Sequence, residues 1–137
     1  MHPSNRWGSG IRVAAPLLLL GVGVGAVFRA GRRFTRYEVT GESMRPALRP
    51  GDWLIIDRAA YRVHPPRNGD IVIARDPRDG RAIVKRVASG SDEGLELLGD
   101  NRARSTDSRT FGPVRTQVVL GRVLFRYWPW RRAPGSP

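Results

Sequence analysis

The chain has 137 residues, 24 Lys plus Arg against 12 Asp plus Glu, and no Cys. That length suits one modest domain with an appendage, and the lack of Cys excludes disulfides, thiolate catalysis and Cys-ligated zinc. The formal charge of +12 attracts nucleic acid or anionic lipid without naming either, and it is uneven: the first 37 residues hold six Arg and no acid, ahead of a moderately basic body.

In chain order, the first feature is Val13 to Phe28 (VAAPLLLLGVGVGAVF), an uncharged, mostly apolar run bracketed by Arg12 and Arg29. As a helix it would span about 24 Å, against about 30 Å of bilayer hydrocarbon, and snorkelling Arg at both ends extends the reach. Gly21 and Gly25 form a small-xxx-small pair that could face another helix. A cleaved signal peptide is the competing reading of so short a run. The following residues, 29–33, offer no persuasive small-residue cleavage site, so the expectation is a retained, single-pass anchor in a cell membrane. Arg29, Arg32, Arg33 and Arg36 then make a basic hinge. The expected organisation is residues 1–36 as basic N-terminus and anchor, 37–127 as the body, and 128–137 as an aromatic and basic tail.

The body reads as short strands divided by turns. Candidate strands are Tyr37–Thr40, Trp53–Asp57, Asp70–Ala74, Ala82–Val87, Leu95–Leu98 and Val118–Tyr127, with Gly-Asp pairs at 51–52, 69–70 and 99–100 as turn signals. His64 precedes Pro65-Pro66 in a loop-like stretch and His2 sits in a polar start, so neither a catalytic His nor a metal site is expected, and no cofactor is implied. Residues 75–80 (RDPRDG) look like a hairpin loop feeding the strand that holds Lys85. The fold class expected is mainly β, with one N-terminal apolar helix.

Lys85 is the only lysine; every other basic position is Arg. Arg stays protonated, whereas a Lys in apolar surroundings loses charge. Strand alternation puts Ile83, Lys85 and Val87 on one face, so the amine would be desolvated and able to act as a general base near neutral pH. The bland alternative is a packed stem with its ammonium in water.

Three blocks carry the chemistry. They are Gly41-Glu-Ser43-Met44-Arg-Pro46-Ala-Leu-Arg-Pro-Gly51-Asp52, the Lys85-Arg86-Val87 strand, and Gly99-Asp100-Asn101-Arg-Ala-Arg-Ser105-Thr-Asp107-Ser-Arg109-Thr-Phe-Gly112. Singly, each is an ordinary turn or loop. Together and in this order they resemble the signal peptidase I family, serine endopeptidases with a Ser–Lys dyad, and the resemblance covers most of residues 37–127. It implies a signal-peptidase-like β catalytic core. It makes Ser43 the nucleophile and Lys85 the base that takes its proton and delivers it to the leaving amine. It makes Ser105 a hydroxyl that orients the amine, and Asp107 and Arg109 a charge pair holding the loop near the dyad. An exposed surface pair is the alternative for those two. Gly41, Met44, Pro46, Gly51, Asp52, Gly99, Asp100, Asn101 and Gly112 would be motif residues that shape the site.

There are departures from the family pattern. Some members place a hydroxyl oxyanion donor where this chain has Gly41. The family often continues after Lys-Arg-Val with Leu-Pro-Gly-Asp, where this chain has Ala88-Ser89-Gly90-Ser91-Asp92. There is no room for the large inserted subdomain of bigger members. The ending, Val123 to Arg132, resembles a compact bacterial branch known as nickel-type superoxide dismutase maturation proteases. Tyr127, Trp128 and Trp130 beside Arg131 and Arg132 suit a membrane interface, or else a last core strand with a tail.

The expected partners are a precursor protein or its leader peptide, and membrane lipid, with no specific nucleic acid. A signal peptidase presents its dyad outside the membrane, but the Arg excess after the apolar run favours a cytoplasmic body, as maturation of a cytosolic precursor would need. Two other readings are a self-cleaving repressor-like protease, which would carry a helical DNA-binding domain that this leader does not resemble, and a basic module binding nucleic acid or anionic lipid.

Overall fold

The structure, a computed structural model, describes Gly31 and residues 33–129. The anchor expected over 13–28, Arg29 and Arg32 of the hinge, and residues 130–137 of the tail lie outside those residues. Among the described residues no helix is long and apolar enough to cross a membrane.

Six strands form one sheet: β1 (Phe34–Glu38), β2 (Trp53–Asp57), β3 (Ile71–Arg75), β4 (Ala82–Ser91), β5 (Gly94–Leu98) and β6 (Val119–Trp128). Their spatial order is β1-β2-β6-β3-β4-β5, and each neighbouring pair is antiparallel. One short helix, α1 (Ser108–Phe111), and 3-10 turns at Arg102–Arg104 and Thr116–Val118 complete the described elements. The mainly β reading therefore holds for the body.

Alternation along the strands explains a sheet covered on both faces. In β3, Ile71 and Ile73 join Val39, Met44, Leu48, Leu54, Ile56 and Val84 on one side. Val72 and Ala74 join Val87, Leu95, Leu97 and Val114 on the other. A strand flanked by two clusters reads as an unbroken apolar run, which is what Ile71-Val-Ile-Ala74 is.

Strand boundaries differ from expectation in two informative places. The first strand lies at Phe34–Glu38 rather than Tyr37–Thr40, because Val39 already bends into the next loop, where its N–H donates to the Asp52 carbonyl and its own carbonyl accepts from Gly51. Strand β4 runs four residues past Val87, to Ser91. The Pro that the family often has in this stretch is absent, so backbone donors remain and the ladder with β5 continues across a bulge between Val87 and Ser89. The loop at 75–80 does close the β3–β4 hairpin: Asp76 N–H donates to Arg81 O at 2.8 Å and Gly80 N–H to Asp76 O at 2.8 Å.

Candidate active site

Ser43 sits in the loop between β1 and β2. The residue after it, Met44, is fully buried in the core, and Leu48 one turn on, whose N–H donates to Met44 O at 2.8 Å, is also a core residue. These two apolar anchors fix the loop and leave the Ser43 side chain half-exposed toward a cleft. Pro46 is exposed on the same loop. At the loop's end Gly51 has a φ of 84°, and buried Asp52 accepts from the Arg49 N–H at 2.9 Å and pairs with Arg126 at 3.5 Å.

The third sequence block clamps the first. Asn101 N–H donates to the Ser43 carbonyl at 2.8 Å, and its side-chain amide donates to Glu42 O at 3.3 Å. Asp100 receives both arms of Arg86, at 2.9 and 2.7 Å, tying the same block to β4. Gly112, with a φ of 81°, ends α1 by donating its N–H to Ser108 O at 2.9 Å.

Lys85 lies on β4 opposite Val72, on the same face as Ile83 and Val87, and is only 3% exposed. The alternative of an ammonium bathed in water is thus excluded. Burial pushes the amine below the ordinary lysine value; Asp107 and Asp76 pull it back up, and Arg109 and Arg78 push it down again. Its Nζ donates to Ser105 Oγ at 3.1 Å, and Ser105 Oγ donates in turn to Asp107 Oδ2 at 2.5 Å. With its hydroxyl hydrogen committed to Asp107, Ser105 Oγ can only accept from the amine, which fixes an N–H there and leaves the nitrogen lone pair to point elsewhere.

Asp107 is fully buried, so its pair with Arg109 is not the surface pair that sequence alone allowed. Burial opposes its ionisation, but the Arg109 guanidinium, the Gly99 N–H, the Ser105 hydroxyl and the Arg109 N–H together hold the carboxyl well below the usual carboxylate range. The bonds are Arg109 Nη2 and Nε at 2.5 and 2.9 Å and Gly99 N–H at 2.8 Å.

Gly99 stands where three of these parts meet. A Cβ there would lie 2.2 Å from Ser105 Oγ, 2.6 Å from Ser105 Cβ and 2.7 Å from the Ser43 carbonyl. The Gly is required by close approach, not by a left-handed backbone. A Cβ on Gly41 would meet nothing within 4 Å.

Ser43 and Lys85 both line one cleft of about 280 Å3, together with Gly41, Ile83 and Thr106. A hydroxyl and a desolvated amine are the two groups that nucleophilic chemistry at a carbonyl uses, and both line this cleft. Sequence reasoning brought together Ser43, Lys85 and Gly41. It missed Asp76, Arg78, Arg81 and Arg104, which line the same cleft. Asp76 is buried and receives Arg78 through Nε, Nη2 and the backbone N–H at 3.0, 2.6 and 2.9 Å. The Asp-Pro-Arg-Asp-Gly run signals only a turn; a turn adjoining the Lys85 strand was the one available hint.

Residues 11–93 and 91–128 match the family model described as signal peptidase, peptidase S26. The chain is 26% identical over 167 residues to the probable signal peptidase I-1 of Synechocystis sp., covering 89% of this chain and 85% of that protein. It is 35% identical over 115 residues to the mitochondrial ATP-independent inner membrane protease subunit 1b of Arabidopsis thaliana, covering 66% of this chain and 68% of that one. It is 32% identical over 111 residues to the mitochondrial inner membrane protease subunit 1 of Homo sapiens, covering 66% and 67%. A family match running through both the Ser43 loop and the Asp107 block identifies the chain: it belongs to the signal peptidase I family and is a serine endopeptidase.

Proposed function

We propose that this protein is a membrane-anchored endopeptidase that removes a leader or signal peptide from a precursor protein, with Ser43 as nucleophile and Lys85 as general base. The observation that carries the reading is the buried Lys85 amine, held by Ser105 in the cleft that Ser43 also lines. As Ser43 Oγ attacks the scissile carbonyl, its proton passes to Lys85 Nζ. The carbon–nitrogen bond then breaks and Lys85 returns that proton to the leaving amine. Water attacks the resulting Ser43 ester, giving one proton to Lys85, which restores it to Ser43 Oγ. The Ser43 N–H supplies one oxyanion donor. Asp107 and Arg109 position Ser105, and Ser105 positions the amine.

Membrane attachment is supported by the apolar run 13–28 and by Leu124, Phe125 and Trp128 of β6, whose side chains are 44%, 55% and 60% exposed. Large exposed apolar groups of this kind mark a surface for lipid or a partner. The inner membrane location in the names of the mitochondrial relatives points the same way.

The test is incubation of the purified protein with a candidate precursor, wild type against Ser43→Ala, with the new N-terminus mapped. A single new terminus in the wild-type reaction alone supports the reading; processing that survives Ser43→Ala contradicts it. A second reading, maturation of a nickel-type superoxide dismutase precursor on the cytoplasmic side, is favoured by four Arg after the apolar run against two before it. A reporter active on one side only, fused to residue 137, separates the two.

A further inference from the structure

Three arginines line the cleft, and two of them are neutralised within the protein. Glu42, which lines the same cleft, is neutralised by Arg45. Arg78 pairs with Asp76 at 2.6 Å and Arg81 with Asp79 at 2.7 Å. Arg104 lines the same cleft, is exposed, and has no carboxylate partner among the described residues. The backbone that carries it is nonetheless held in place. The Arg104 N–H donates to Asn101 O at 3.1 Å, the Asn101 N–H donates to Ser43 O, and the next residue, Ser105, holds the Lys85 amine. The Arg104 side chain therefore springs from the residue next to Ser105 and lines the cleft.

An unpaired guanidinium in a cleft whose other charges are internally cancelled sets the sign of the local potential. Its planar fork matches a carboxylate in two parallel bonds. We propose that Arg104 is a specificity-determining residue that receives an acidic side chain of the substrate, Asp or Glu, close to the scissile bond. This rests on the Ser43 and Lys85 reading of the cleft. It implies a class of precursors whose cleavage region carries a carboxylate as well as the residues that fit beside Ser43.

The test uses the full-length protein and sets of precursor peptides that carry Glu, Gln or Lys in turn at each of the three positions on either side of the mapped cut. At low ionic strength the wild type should cleave the Glu peptide at one position about two- to five-fold faster in kcat/KM than its Gln counterpart, chiefly through KM, and the margin should shrink with added salt. Arg104→Ala should level the three peptides, and Arg104→Glu should reverse the order to favour Lys. Arg102→Ala, exposed on the same turn but outside the cleft, should keep the wild-type order. Ser43-dependent cleavage with no acidic preference at any position overturns this inference alone, as does a preference that survives Arg104→Glu. Absence of Ser43-dependent cleavage of every peptide overturns the dyad reading and this inference with it.

Discussion

Gly99→Ala is the most demanding single perturbation of this site. Only one methyl is added, yet it would stand 2.2 Å from Ser105 Oγ and 2.7 Å from the Ser43 carbonyl. The carbonyl is backbone, held by Asn101, and cannot swing aside. Ser105 can rotate, but only by breaking its bonds to Asp107 and Lys85. Overpacking of this kind costs about 1–3 kcal/mol, and loss of the Ser105 bonds adds about 1 kcal/mol or more, so a destabilisation of about 2–4 kcal/mol is expected. For a domain of about 100 residues that is a Tm drop of about 10 °C or more. Because both Ser43 and Lys85 are displaced, kcat should fall about 100-fold while KM changes little. Thermal unfolding by circular dichroism and steady-state cleavage of a precursor peptide measure the two effects. A variant with wild-type Tm and wild-type kcat would refute the claim that the Gly is there for close approach.

The pH profile of kcat/KM should rise with pH as the Lys85 amine loses its proton, with a midpoint below the ordinary lysine value, since burial lowers that amine; a midpoint at or above about 10.5 counts against it. Arg109→Ala leaves the buried Asp107 carboxylate without its guanidinium and should cost about 1–3 kcal/mol by denaturant unfolding. The sign of the pH dependence follows from the depressed native value of Asp107: its contribution is fully present above the unfolded value of about 4 and is lost as pH falls toward the native one. Wild type should therefore lose more stability than Arg109→Ala between about pH 5 and pH 2. Gly41→Ser has room for its side chain and could add an oxyanion donor, so kcat should rise, by up to about ten-fold, with stability within about 0.5 kcal/mol of wild type. A fall in kcat would show that the open space at Gly41 serves the substrate instead.

Much of this architecture was legible in the chain. Alternation and Gly-Asp turns placed β2 to the residue and β3, β5 and β6 to within a residue at each end, because each strand is bounded by turn chemistry. Lys85 stood out because Arg fills every other basic position, and desolvation between Ile83 and Val87 follows from strand geometry alone. What could not be read was set by distance in space. Asp107 and Arg109 look alike as a surface pair or a buried one, and only the Gly99 and Ser105 donors, brought by the fold, make the carboxylate buried and satisfied. Gly99 reads as a turn glycine, but its reason is contact with Ser43 from another loop. Asp76 and Arg104 face the cleft only because the β3–β4 hairpin and the 3-10 turn converge on it.

The central claim, that a neutral amine at position 85 deprotonates Ser43, is tested most directly by Lys85→Arg. The substitution keeps a positive side chain but cannot act as a base at neutral pH. Cleavage of a mapped precursor should fall by about 100- to 10,000-fold, with circular dichroism showing the sheet intact. A folded Lys85→Arg protein that processes the precursor at the wild-type rate would contradict the account.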